Sequence, residues 1–179
     1  MTATAAAASI AASALAVRAA PRVLVDGRSG SGKTTLATEL VRRHPEFQIV
    51  ALDDLYPGWD GLRAGSDRAL EDVLRPHARG HVGRWRRWDW AADAYAEEHA
   101  VQPDRPLLVE GSGVLTARSA ALADVRIWVD ADADERRTRA LARDGATFEP
   151  HWERWARQEE EHLAADDPLR WASAVVSLR

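Results

Sequence analysis

Apolar residues in this chain fall in short runs, and the runs are separated by stretches with helical spacing. Val23-Leu24-Val25 marks a strand over Arg22–Asp26. Leu36 and Leu40 set one face of a helix over Lys33–Arg43. A second strand is predicted over 47–52. Ser66 can cap a helix to about His77, with Leu70, Val73 and Leu74 as its apolar stripe. Asp89 can cap another helix from Trp90 to about His99. Leu107-Leu108-Val109 reads as a buried strand, and 125–129 as another. Asp132 and Glu135 have the spacing of a capping box that opens a helix to Arg143. A charged helix should run from Phe148 or Glu149 to Ala164, and a last strand over 174–178.

Five short apolar strands separated by helices predict an α/β fold: a five-stranded parallel sheet with helices on both faces. The alanine-rich start reads as a surface helix over 4–19. It has no cationic beginning, and Ser9 and Ser13 interrupt its apolar stretch, so a signal peptide is not expected. The expected organisation is a helix in 1–20 and one domain in 21–179. No stretch has the length of a membrane span, and the expected location is the cytoplasm.

Composition narrows the chemistry. There are no cysteines, which excludes disulfides, thiolate metal sites and cysteine nucleophiles. The net charge of −4 gives no general attraction to nucleic acid or to a membrane surface. Of the 24 lysines and arginines, Lys33 is the only lysine. It stands where a compact, rotatable ammonium serves and a planar guanidinium fits poorly.

That position lies in Gly27-Arg28-Ser29-Gly30-Ser31-Gly32-Lys33-Thr34, followed by Thr35, between a predicted strand and a predicted helix. This is the phosphate-loop pattern in its required context. Glycines let backbone N–H groups turn toward phosphate oxygens, and the helix N-terminus adds positive dipole character. Gly27 and Ser29 to Thr35 are therefore the expected nucleotide-phosphate contacts. Lys33 would reach the β- and γ-phosphates, and Thr34 would offer its hydroxyl to Mg²⁺. A guanine-reading Asn-Lys-x-Asp element cannot exist in a chain whose only lysine is Lys33.

Small phosphotransferases need three further parts, and each has a candidate. Asp53 and Asp54 follow the second strand, at the sheet edge where ligands bind. An aspartate there can take the proton of an attacking hydroxyl. Glu110 ends the Leu107-Leu108-Val109 strand and can hold a magnesium-bound water. Arg136, Arg137, Arg139 and Arg143 can close over phosphates, and three of them recur at helical spacings of three and four. In Arg84-Trp85-Arg86-Arg87-Trp88-Asp89-Trp90, three of the eight tryptophans interleave with arginines, which suits stacking or phosphate binding.

With these pieces placed, the chain resembles the uridine kinase-like family of P-loop nucleoside and small-molecule kinases, a group that includes pantothenate kinase and phosphoribulokinase. The resemblance covers roughly residues 22–144. Asp53-Asp54-Leu55-Tyr56 is similar to the family's Asp-x-aromatic-aromatic element, which implies Asp53 as the base. Leu55 replaces an aromatic there, and Asp54 shifts the register by one. Glu110-Gly111 resembles the Glu-Gly strand end. Trp88-Asp89 resembles the Tyr-Asp acceptor-binding pair. Arg139 and Arg143-Asp144 resemble the start of a helical lid, placed here at about 136–167, with a long Trp/Glu-rich continuation. The resemblance implies ATP with Mg²⁺, and catalytic roles for Lys33, Asp53, Arg139 and Arg143. It implies an acceptor site formed by Asp54, Tyr56, Arg84, Trp88 and Asp89. The expected partner is a small, nucleoside-like or otherwise hydroxylated molecule, bound by a monomer or homodimer. A nucleoside monophosphate kinase using Arg63, Arg84, Arg86 and Arg87, and a regulatory ATP-binding or ATPase module, are the alternatives.

Overall fold

Strand β1 (Arg22–Asp26) is buried along its whole length and sits at the centre of the sheet. In this computed structural model, which describes residues 2–178 except the side chains of 144 and 146, the sheet has five parallel strands. They are ordered β2 (Gln48–Ala51), β5 (Leu107–Glu110), β1, β6 (Val125–Asp130) and β7 (Ala174–Ser177). Val23 lies opposite Leu108 on one side and Val125 on the other. Met1 and Arg179, the outer limits of the two expected segments, lie outside the described residues.

Side chains of β1 alternate between two cores, as the pleat requires. Val23 and Val25 face a cluster with Leu36, Leu40 and Leu108. Leu24 faces the other, with Leu52, Leu55, Leu107 and Val109. Helix α1 (Ala3–Val17) covers the first cluster with Ala6, Ala7, Ile10, Ala11 and Ala14, and packs beside α2 (Lys33–Arg43). Thr2 caps it by accepting from the Ala5 N–H at 3.3 Å. Among the described residues no helix is long and apolar enough to cross a membrane.

Two expectations are corrected. The helix expected from Ser66 begins earlier, as α3 (Leu62–Arg68), and continues through a π-helical stretch (Ala69–Leu74) into α4 (Arg75–Ala78). Ser66 lies inside it, and its hydroxyl donates to the carbonyls of Leu62 and Gly113. The helix expected from Trp90 to His99 does not form. Instead β3 (Gly83–Asp89) and β4 (Ala94–Val101) make an antiparallel hairpin. Cross-strand pairing outweighs alanine's helical propensity here. Trp85 stacks on His99 at 4.7 Å, Arg84 meets Glu98 at 2.8 Å, and Arg87 meets Glu97 at 2.7 Å. Asp89 caps the turn of this hairpin, accepting from the N–H groups of Ala91 and Ala92.

After the short α5 (Ala117–Ala120), helix α6 (Ala133–Phe148) begins on the Asp132 carboxylate, which accepts from the N–H groups of Asp134 and Glu135. It runs past Arg143, with a break at Gly145 (φ 52°). A 3₁₀ turn (Glu149–His151) leads into α7 (Trp152–Asp166), and α8 (Pro168–Trp171) returns the chain to β7.

Candidate active site

The phosphate loop joins β1 to α2, so its N–H groups lie at the amino end of an eleven-residue helix. Gly30 (φ +77°) and Gly32 (φ +102°) adopt left-handed backbone that disfavours a side chain. A Cβ on Gly30 would also collide with the Arg136 carbonyl. Gly30→Ala is therefore expected to lower stability by about 2 kcal/mol or more and to weaken nucleotide binding. Denaturant unfolding and nucleotide titration of the variant check this.

Lys33 is buried in the loop, and its ammonium donates to the Arg28 carbonyl at 3.1 Å and the Ser112 hydroxyl at 3.3 Å. Among the described residues the buried Ser31 hydroxyl has no hydrogen-bond partner. Thr34 donates its hydroxyl to Glu110 at 3.0 Å. Glu110 ends β5 next to β1, and burial pushes its carboxyl up to about 7, against the pull of Lys33 and with a further push from Asp53. Hydroxyl and carboxylate oxygens this close suit a hard cation such as Mg²⁺. Among the described residues no group of three or more acids and histidines could hold a metal. For an ion carried mainly by phosphates and water, Thr34 and Glu110 would be the protein's contribution.

These groups open onto a cavity of about 580 Å³ at the carboxyl end of the sheet. Ser29, Gly30, Lys33, Thr34, Glu110 and Ser112 line its phosphate-loop side. Asp53 and Asp54 enter from the 3₁₀ turn after β2. Tyr56 is buried and donates its hydroxyl to the Ser112 carbonyl at 2.7 Å. Burial, then Asp53, pushes its phenol well above the ordinary value. Arg143 and Thr147 contribute from α6, and Trp59, Trp90, Phe148 and Trp155 complete the wall.

Helix α7 braces the loop from behind. The buried Glu159 carboxylate accepts from the Ser29 N–H at 2.7 Å, from Arg28 Nε at 3.1 Å and from the Ser112 hydroxyl at 3.1 Å. One turn on, His162 lies between Asp26 of β1 (3.2 Å) and Asp166 (3.1 Å), and Arg63 of α3 pairs with Asp166. Burial favours the neutral imidazole, but the hydrogen bonds and charges of Asp26 and Asp166 outweigh it and raise His162 above its ordinary 6.5. A raised pKa gives stability that is complete below the unfolded value and is lost as pH rises through the folded one. As pH rises above the ordinary histidine value of about 6.5, the protein should therefore lose thermal stability more steeply than His162→Gln. Melting curves of both at rising pH check it.

No protein-family model matches the chain. A curated uridine kinase of Clostridium perfringens is 29% identical over 137 residues, covering 67% of this chain and 66% of its own length. A uridine kinase of Brevibacillus brevis is 29% identical over the same number of residues, covering 67% of this chain and 64% of its own. The match thus spans slightly less than two thirds of these relatives. A solved structure from Bacillus stearothermophilus, named a possible uridine kinase, superposes with a TM-score of 0.71 over 97% of this chain and 98% of its own, at 17% identity. The sheet order, the phosphate loop and these likenesses agree. In sequence and in fold the chain is similar to uridine kinase-like P-loop kinases.

The structure brings together some of the expected site residues and separates others. Ser29, Gly30, Lys33, Thr34, Asp53, Asp54, Tyr56, Glu110 and Arg143 share the cavity. Gly27, Ser31 and Gly32 complete the loop behind them, and Thr35 is exposed on the first turn of α2. Arg139 is not brought in: it is exposed and pairs with Glu135 one turn away at 2.7 Å. Arg136 is buried and donates to the Ser29 carbonyl at 3.3 Å, bracing the loop. Arg84, Trp88 and Asp89 are also outside the cavity. Arg84 faces Glu98, Trp88 packs edge-on against Tyr95, and Asp89 holds the hairpin turn. The side chain of Asp144 lies outside the described residues.

Sequence reasoning missed Trp59, Trp90, Ser112, Thr147, Phe148 and Trp155. Trp90 is the most informative, because its indole N–H donates to the Asp53 carbonyl at 2.8 Å and fixes that turn from the hairpin. The aromatic density of 85–90 was a visible signal. Which of its rings turns inward depends on the hairpin register.

Proposed function

We propose that the chain transfers the γ-phosphoryl group of ATP to a hydroxyl of a small acceptor, with nucleoside-like molecules the class that the relatives' name supports. One observation carries the reading. A single cavity is lined by the phosphate-loop lysine, by Glu110 and Thr34, and by the Asp53 carboxylate facing the space beyond them.

In this reading the loop amides and Lys33 hold the β- and γ-phosphates. Asp53 orients the acceptor hydroxyl and takes its proton as the oxygen attacks the γ-phosphorus. The bond from that phosphorus to its bridging oxygen breaks, and ADP leaves. Lys33 and Arg143 neutralise charge on the transferring group. Mg²⁺, bound with the nucleotide, supplies further charge neutralisation on the phosphates. Trp155, Phe148 and Trp59 limit water around the acceptor, which favours transfer over hydrolysis.

No observation favours a nucleoside monophosphate as acceptor. Arg63 pairs with Asp166 and Asp67, Arg84 with Glu98, Arg87 with Glu97, and Arg86 donates to the carbonyls of Tyr95 and Ala96. None of the four lines the cavity.

ATP labelled in its γ-phosphate tests the proposal. With a pool of hydroxylated metabolites present, label should appear in a phosphate ester. Label recovered only as inorganic phosphate would favour a slow ATPase instead.

A further inference from the structure

The acceptor end of the cavity has a chemistry of its own. Its wall is aromatic: Trp59 packs on Trp90 at 4.8 Å, on Phe148 at 5.5 Å and edge-on to Trp155 at 6.4 Å. Trp59 is thus in ring contact with each of the other three. Asp53 and Asp54 bring carboxylates, and Thr147 a hydroxyl, to the same cavity. Ionised carboxylates accept hydrogen bonds and donate none. The Trp90 indole N–H is already given to the Asp53 carbonyl.

The charges point the same way. Lys33 and Arg143 are the cations that line the cavity, and both serve phosphate in the reading above. Asp53, Asp54 and Glu110 are its acids. Asp54 is half-buried and makes no hydrogen bond or close ion pair among the described residues. Burial, and then Asp53, pushes its carboxyl above the ordinary value, although Arg87 and His99 act against this from the hairpin. A neutral base offering carbonyl oxygens gains nothing from these two carboxylates when they are ionised. A cation meets two carboxylates and the faces of several rings, the arrangement that binds ammonium groups.

We propose that the acceptor is a cationic alcohol, carrying a protonated amine held by Asp54 and the tryptophan wall beside the hydroxyl that Asp53 prepares for phosphorylation. The proposal rests on the phosphotransfer reading and narrows it to amino alcohols and aminated sugars. Asp54 sets specificity, while Asp53 takes the proton.

Matched acceptors test it on the full chain. ADP release is measured at saturating ATP and Mg²⁺ with glucosamine against N-acetylglucosamine, ethanolamine against ethylene glycol, and uridine as the neutral nucleoside. Lys33→Ala serves as the blank. At least one amine should exceed its neutral counterpart by about 10-fold in kcat/KM. Asp54→Asn should bring that ratio near one, with ATP titration confirming that the variant is folded. Equal rates within both pairs, or uridine fastest, would overturn the inference and leave phosphotransfer standing. A preference that persists in Asp54→Asn would overturn the role of Asp54. Release never above the blank would overturn the phosphotransfer reading and this inference with it.

Discussion

Lys33→Ala should reduce phosphoryl transfer by on the order of 10²- to 10³-fold or more, the usual effect of removing one preorganised charge donor at a transferring group. Arg143, the other cation lining the cavity, would keep only part of the charge neutralisation. The chain has no other lysine, and its phosphate loop is enclosed by residues committed elsewhere. Arg28 is tied to Glu159 and Glu160, and Arg136 to the Ser29 carbonyl. The ammonium lies within hydrogen-bond reach of Ser112, which in turn reaches Glu159. Its loss should therefore also weaken ATP binding. Initial rates and equilibrium titration with ATP and Mg²⁺ separate the two effects.

Asp53→Asn should lower transfer by about 10²- to 10⁴-fold, the range for a positioned general base. Its effect should differ in kind from that of Lys33→Ala. Asp53 is exposed in the cavity on the 3₁₀ turn after β2, in a segment separate from the phosphate loop. Its carbonyl, which receives the Trp90 indole, is unchanged by the substitution. ATP affinity should stay close to wild type while kcat falls. Loss of nucleotide binding in this variant would remove Asp53 from its assigned role.

The phosphate-loop half of the candidate site was legible in the sequence because its pattern is local. Eight consecutive residues specify the loop, and the strand before it and helix after it follow from simple apolar spacing. Glu110 and Asp53 were legible for a related reason. They end short apolar strands, and a parallel sheet brings such ends to one edge. The acceptor half was not. Trp59, Trp90, Phe148 and Trp155 come from segments far apart in the chain, and only tertiary packing joins them. Residues 90–99 are rich in alanine and glutamate, so local preference favours helix there. The pairing of Trp85 with His99 and of Arg84 with Glu98 is long-range information that such preference cannot contain. The same register carried Trp88 and Asp89 away from the cavity and Trp90 toward it. Arg139 shows the limit of helical spacing: three and four residues apart share a face only loosely, and Glu135 holds this arginine in solvent.

The most direct test of the central claim is ADP release by the purified chain with ATP and Mg²⁺, with and without a mixed pool of small hydroxylated acceptors, against Lys33→Ala. The account predicts a rate that rises well above background only when the pool is present, and only with Lys33 intact. A rate indifferent to the pool, or equal in the Lys33→Ala variant, would contradict it.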